Sequence, residues 1–163
     1  MVDCVAAAKH LADQGRVDPN KLIIEGGSAG GLTVLNALAH HDVFSGGVSR
    51  YGVADLRALA TETHKFEARY LDSLIGAWPE DEAIYIERSP MTHVDKITSP
   101  MLVLQGTEDM VVPPNQAEMI VDALEAKGVP VTYHLFEGEG HGFRQSETIV
   151  AVLEATEAFI TSL

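Results

Sequence analysis

Cysteine occurs once in the 163 residues, at Cys4, so an intrachain disulfide is impossible and a disulfide-stapled scaffold is excluded. Set among alanines and valine, Cys4 is expected to be a small buried hydrophobe, and a reducing, cytoplasmic setting fits best. No run approaches the ~18 apolar residues that suggest a membrane span. The residues after Met1 include Asp3 and no basic stretch leading into an apolar run, so neither an export signal nor a membrane partner is expected. Positive charge is scarce, with 11 Lys and Arg against 24 Asp and Glu and a formal net charge of −13. Phosphate neutralisation needs clustered Lys and Arg, so nucleic-acid binding is argued against. HExxH and CxxC spacings are missing, as are GxGxxG and GxxxxGK[ST], so neither a metal nor a nucleotide or other cofactor is expected.

What is present is an apolar share of 46%, enough for one globular unit with a single core. Residues 2–11 read as an alanine-rich helix, followed by turn chemistry around Gly15 and Pro19. Short apolar runs at 21–25, around 46–49, at 100–105 and at 131–136 read as strands. Helical patterns fall at 32–41, 115–127 and 146–161. Residues 56–88 form a mixed, helix-prone stretch broken at Trp78-Pro79, read as an insertion over the strand ends. Strands alternating with helices imply an α/β fold, with a mostly parallel sheet of about four strands and helices on both faces.

Gly26-Gly27-Ser28-Ala29-Gly30-Gly31 contains GxSxG between an apolar strand and a helix, the setting of a nucleophile elbow. Glycines two before and two after the serine are expected to relieve crowding in so sharp a bend. A serine hydroxyl is a weak nucleophile unless a base takes its proton and a third group orients that base. Acids stand after the third strand in Gln105-Gly106-Thr107-Glu108-Asp109, where Glu108 and Asp109 both qualify. After the fourth strand, His141 lies between glycines in Glu139-Gly140-His141-Gly142-Phe143. The order Ser, acid, His is that of the α/β-hydrolases. The other histidines read as packing or surface residues: His10 on the first helix, His40 and His41 at a helix end, His64 and His93 in or near the insertion, and His134 within a strand.

These motifs resemble the prolyl oligopeptidase family, specifically its acylaminoacyl-peptidase and dipeptidyl-aminopeptidase branch. The matching residues run from Gly15 to Lys21 and from Gly26 to Gly31, then Ser89-Pro90, Gln105 to Asp109 with Val112-Pro113, and Gly138 to Phe143. The resemblance implies a serine-type peptidase cleaving short peptides or acylated amino acids through an acyl-enzyme. It implies Ser28 as nucleophile, Asp109 rather than Glu108 as the acid, His141 as base, and the Ala29 N–H as one oxyanion donor. Tyr51, Val111 and Val112 are then expected in the acyl or side-chain pocket, with core packing as the alternative. Family members carry an N-terminal propeller and an eight-stranded catalytic sheet, so the resemblance also implies that the first half of the sheet and a second oxyanion donor lie upstream. The strand at 21–25 should then have an open edge, and a homo-oligomer or pairing with the upstream part of its own domain is expected. Two further readings stay open: an esterase or dienelactone-hydrolase-like enzyme with the same triad, and a catalytically silent fragment.

Overall fold

The computed structural model describes all residues except His64 and 66–68, so the reading of His64 lies outside the described residues. Four parallel strands, β1 (Ile23–Gly27), β2 (Gly46–Arg50), β3 (Met101–Gly106) and β4 (Val131–Phe136), form one sheet in the order β1-β2-β3-β4. Between and around them run α1 (Val2–Asp13), α2 (Ala29–His40), α6 (Asn115–Ala126) and α7 (Ser146–Ser162). The 56–88 stretch holds three short helices, α3 (Leu56–Glu62), α4 (Tyr70–Leu74) and α5 (Glu82–Arg88), followed by 3-10 turns at Pro90–Lys96.

Alternation along the strands sends side chains to two cores. Ile24, Met101 and Val103 face α2 and α6, meeting Val34, Leu38, Ile120 and Leu124. Val48, Leu102 and Leu104 face α7 through Val152 and Phe159. Helices thus cover both faces, as the crossovers of a parallel sheet require. Neighbouring glycines show how close the layers come. A Cβ at Gly46 would meet Phe159 and Leu163 of the α7 layer, and one at Gly47 would meet Leu38 and Val34 of α2.

Three local expectations are corrected. Cys4 is exposed, because α1 lies on the rim and turns only Val5 fully inward. The first strand is shifted to 23–27, and α2 starts at Ala29 rather than residue 32. Ser28 itself makes the bend, so the helix needs no run-in after the glycines. Only one of the two elbow glycines is sterically required. A Cβ at Gly26 would come within 2.5 Å of the Gly30 backbone, whereas one at Gly30 meets nothing within 4 Å.

The matched Ser89-Pro90 pair has a structural explanation. Ser89 is fully buried, accepts from Leu56 N–H at 2.9 Å and donates to the Tyr85 carbonyl at 2.6 Å, fastening α3 to α5. Gln116 of α6 does the same for the segment after β2, accepting from the N–H groups of Ala54 and Asp55 and donating to the Asp55 carbonyl. These bonds to the backbone of Ala54, Asp55, Leu56 and Tyr85 hold both ends of the insertion in place.

Candidate active site

In a parallel sheet every strand ends on the same side, so the loops after β1, β3 and β4 share one rim. Ser28 follows β1 with φ 57° and ψ −122°, a conformation that is strained for a non-glycine residue. Its N–H is held by the Arg50 carbonyl at 2.9 Å, and its own carbonyl accepts from Leu32 N–H at 3.1 Å. This bend points the hydroxyl off the rim. Ala29 is the first helical residue, so its N–H is one of those at a helix start that lack an intrahelical partner.

Asp109 is 1% exposed, and its carboxylate is surrounded by donors. Oδ1 accepts from the N–H groups of Val111 and Val112, each at 2.9 Å. Oδ2 accepts from Gln105 Nε2 at 3.4 Å and faces His141 Nδ1 at 2.8 Å. Glu108, the rival acid, is exposed to solvent instead. The other nitrogen of His141, Nε2, lies 3.0 Å from Ser28 Oγ. With its proton on Nδ1, the imidazole donates to Asp109 and its free lone pair accepts the serine hydroxyl, the geometry that general-base activation needs.

The acid and base loops continue the β3–β4 pairing beyond the strands. Thr107 N–H donates to the Phe136 carbonyl at 3.0 Å, Glu108 N–H to the Glu139 carbonyl at 2.9 Å, and Gly138 N–H to Thr107 Oγ1 at 2.9 Å. Gly138 and Gly142, at φ 70° and 87°, let the histidine loop turn where other residues would be strained.

A cavity of about 600 Å³ opens beside Ser28 and Ala29. Val111 and Val112 line it, with Leu32, Val53, Leu56 and Leu59 supplying further apolar wall. Tyr51, expected in the pocket, is placed elsewhere. Its ring packs edge-on against His141 at 4.7 Å and Phe143 at 5.1 Å, over Gly27, and takes no part in lining the cavity. Its backbone stands in the left-handed region, at φ 37°. Sequence reasoning missed the cavity wall from α3, since residues 56–88 read only as a mixed, helix-prone insertion over the strand ends. It also passed over Glu139, a buried carboxylate inside a motif quoted only for its histidine.

Comparison with known proteins follows the same lines. The sequence profile of the prolyl oligopeptidase family matches residues 1–163. The chain belongs to the prolyl oligopeptidase family. It is 35% identical to dipeptidyl aminopeptidase BIII of Pseudoxanthomonas mexicana over 97% of its length and 24% of that protein's. It is 32% identical to the probable carboxylic ester hydrolase LipM of Mycobacterium tuberculosis over 88% of this chain and 38% of that one. Among solved structures, a puromycin-hydrolyzing peptidase of Mycobacterium tuberculosis superposes with a TM-score of 0.95 at 49% identity, covering 98% of this chain and 24% of the other. The chain thus spans about a quarter of the length of these two peptidase relatives, and the superposed peptidase structure shares its α/β-hydrolase-like fold. Among the described residues no helix is long and apolar enough to cross a membrane, and no group of His, Cys, Asp or Glu is arranged to hold a metal ion.

Proposed function

We propose that this chain is the C-terminal portion of a serine peptidase catalytic domain that hydrolyses short peptides or acylated amino acids through an acyl-enzyme. The observation that carries the proposal is His141 bridging Asp109 at 2.8 Å and Ser28 at 3.0 Å, beside an apolar cavity. Ser28 Oγ attacks the acyl carbonyl while His141 Nε2 takes its proton, and Asp109 stabilises the resulting imidazolium. The tetrahedral oxyanion takes a hydrogen bond from Ala29 N–H. As the C–N bond breaks, His141 returns the proton to the leaving amine, and water then repeats the sequence on the ester. The cavity takes the apolar side chain of the acyl residue, with Val111 and Val112 in its wall.

The second oxyanion donor and the remaining strands belong, in this reading, to an upstream part of the same domain that continues the sheet at β1. Support comes from β1 pairing, among the described residues, with β2 on one side only and from the 24% coverage of the first of these relatives. Losing one oxyanion donor costs about 2.7–4 kcal/mol, so activity of the 163-residue chain is expected to fall well below that of a complete domain. We place the enzyme in the cytoplasm on the strength of its single, exposed thiol.

The test compares aminoacyl-p-nitroanilides and puromycin with p-nitrophenyl esters, alongside labelling by a fluorophosphonate. Cleavage of amide and ester substrates together with labelling of Ser28 supports the peptidase. Ester cleavage alone would favour the second reading, a carboxylic ester hydrolase, to which the similarity to LipM points. Folded protein that neither labels nor turns over substrate is the silent fragment.

A further inference from the structure

We propose that Glu139 is a positioning residue for His141, its buried carboxylate closing the loop that carries the imidazole. The proposal rests on the reading of His141 as the base. Glu139 is 2% exposed. One carboxylate oxygen accepts from Arg144 N–H at 3.0 Å and the other from Gln145 N–H at 2.8 Å. The Thr148 side chain, in the first turn of α7, lies close by and favours the charged form of the same group. Glu139 stands two residues before His141, and Arg144 three after it, so one side chain clamps both ends of the histidine loop. Through its backbone, the same residue is tied to the acid loop: its carbonyl accepts from Glu108 N–H at 2.9 Å, next to Asp109. That carbonyl sits so near Gly106 that a Cβ there would lie 2.3 Å from it. The base loop, the acid loop and the start of α7 therefore meet at Glu139.

The chemistry requires a carboxylate. Two N–H donors approach two different oxygens, and a glutamine of the same shape has one oxygen and one NH₂ group, so one N–H would face another donor. A loop loosened in this way lets the imidazole drift from Ser28 and Asp109. A displacement of about 1 Å in a reacting group lowers the rate by up to about a hundredfold.

The decisive experiment is E139Q in the same chain, followed by the low-field proton resonance of the Nδ1–H shared by His141 and Asp109, by kcat and KM, and by thermal melting. The resonance should broaden or move, and kcat should fall about 10- to 100-fold with KM within about twofold. A folded E139Q with the resonance in place and kcat within about twofold of the wild type would overturn the proposal and leave Glu139 a purely structural cap of α7. If E139Q does not fold, E139D decides. It keeps the charge but draws the carboxylate back from the Arg144 and Gln145 N–H groups, and a displaced resonance upholds the role while an unmoved one ends it. The resonance is read without turnover, so even in a chain inert toward fluorophosphonate, which refutes the hydrolase reading, a moved resonance upholds the positioning role of Glu139 and an unmoved one ends it.

Discussion

Two regions of the molecule invert the usual placement of polar and apolar groups. At the rim where β3 and β4 end, Gln105, Asp109 and Glu139 are buried, two of them carboxylates. Across the sheet, α7 leaves Ile149, Val150, Leu153 and Ile160 in solvent beyond its buried face, and Met1 and Val2 of the α1 end are likewise exposed. Burying a carboxylate is costly unless donors surround it, and both carboxylates at the rim have them. Exposed apolar residues that gather along one helix suit a surface covered by something else. The carboxylates of the first region are satisfied within this chain, and the second region fits the proposed continuation of the sheet past β1.

The sharpest break of that contrast is at the reacting atom. Ser28→Ala should abolish fluorophosphonate labelling and lower kcat by at least about 10⁴-fold, while the urea midpoint changes little because alanine keeps the same strained backbone. Labelling that survives in the variant would move the nucleophile elsewhere. Next comes the elbow. Gly26→Ala pushes a methyl into the Gly30 backbone and should destabilise by about 1–3 kcal/mol, whereas Gly30→Ala, in open space on a helix, should be neutral or stabilising by up to about 1 kcal/mol. Urea unfolding of the pair separates them, and equal losses would refute the asymmetry.

Acid sharpens the view of the buried rim. Burial pushes the Glu139 carboxyl up, but the Arg144 and Gln145 N–H groups, the Thr148 side chain and the charge of Arg144 outweigh it, holding the group below its ordinary 4.5. A pKa depressed by folding contributes stability that is present above the unfolded value and is lost as pH falls through the folded one. Wild-type stability should therefore drop as pH is lowered below 4.5, and E139Q should lose less over the same interval. Parallel profiles in urea titrations would contradict this. The smallest effect is expected on the other region. Leu153→Glu or Ile160→Lys should change stability by no more than about 0.5 kcal/mol yet shift sedimentation toward smaller species. A sedimentation profile unchanged by either charge would mean that this face does not drive association.

Much of this was legible in the chain because it is written locally. An apolar run entering a glycine-flanked serine and leaving as a helix needs no distant residue to be read. The order of strands, the insertion and the two loops bearing Asp109 and His141 follow from periodicity and turn residues. The errors lie where a neighbour decides. Cys4 looks buried in its alanine-rich helix, but α1 docks through Val5 and leaves it outside. Gly30 looks as constrained as Gly26, and only the approach of the two backbones shows which one lacks room.

By itself, the sequence determined which elements form, in what order along the chain, and which loops carry a candidate nucleophile, acid and base, with Glu108 and Asp109 both eligible, since each motif rests on residues close together in the chain. Tertiary structure decided how those side chains are used. It buried Asp109 and left Glu108 in solvent, turned Tyr51 away from the cavity and against His141, and drew the leucines of α3 to the side of Ser28. Side-chain direction at a strand end depends on a single backbone dihedral and on what lies opposite, and neither is encoded in local periodicity.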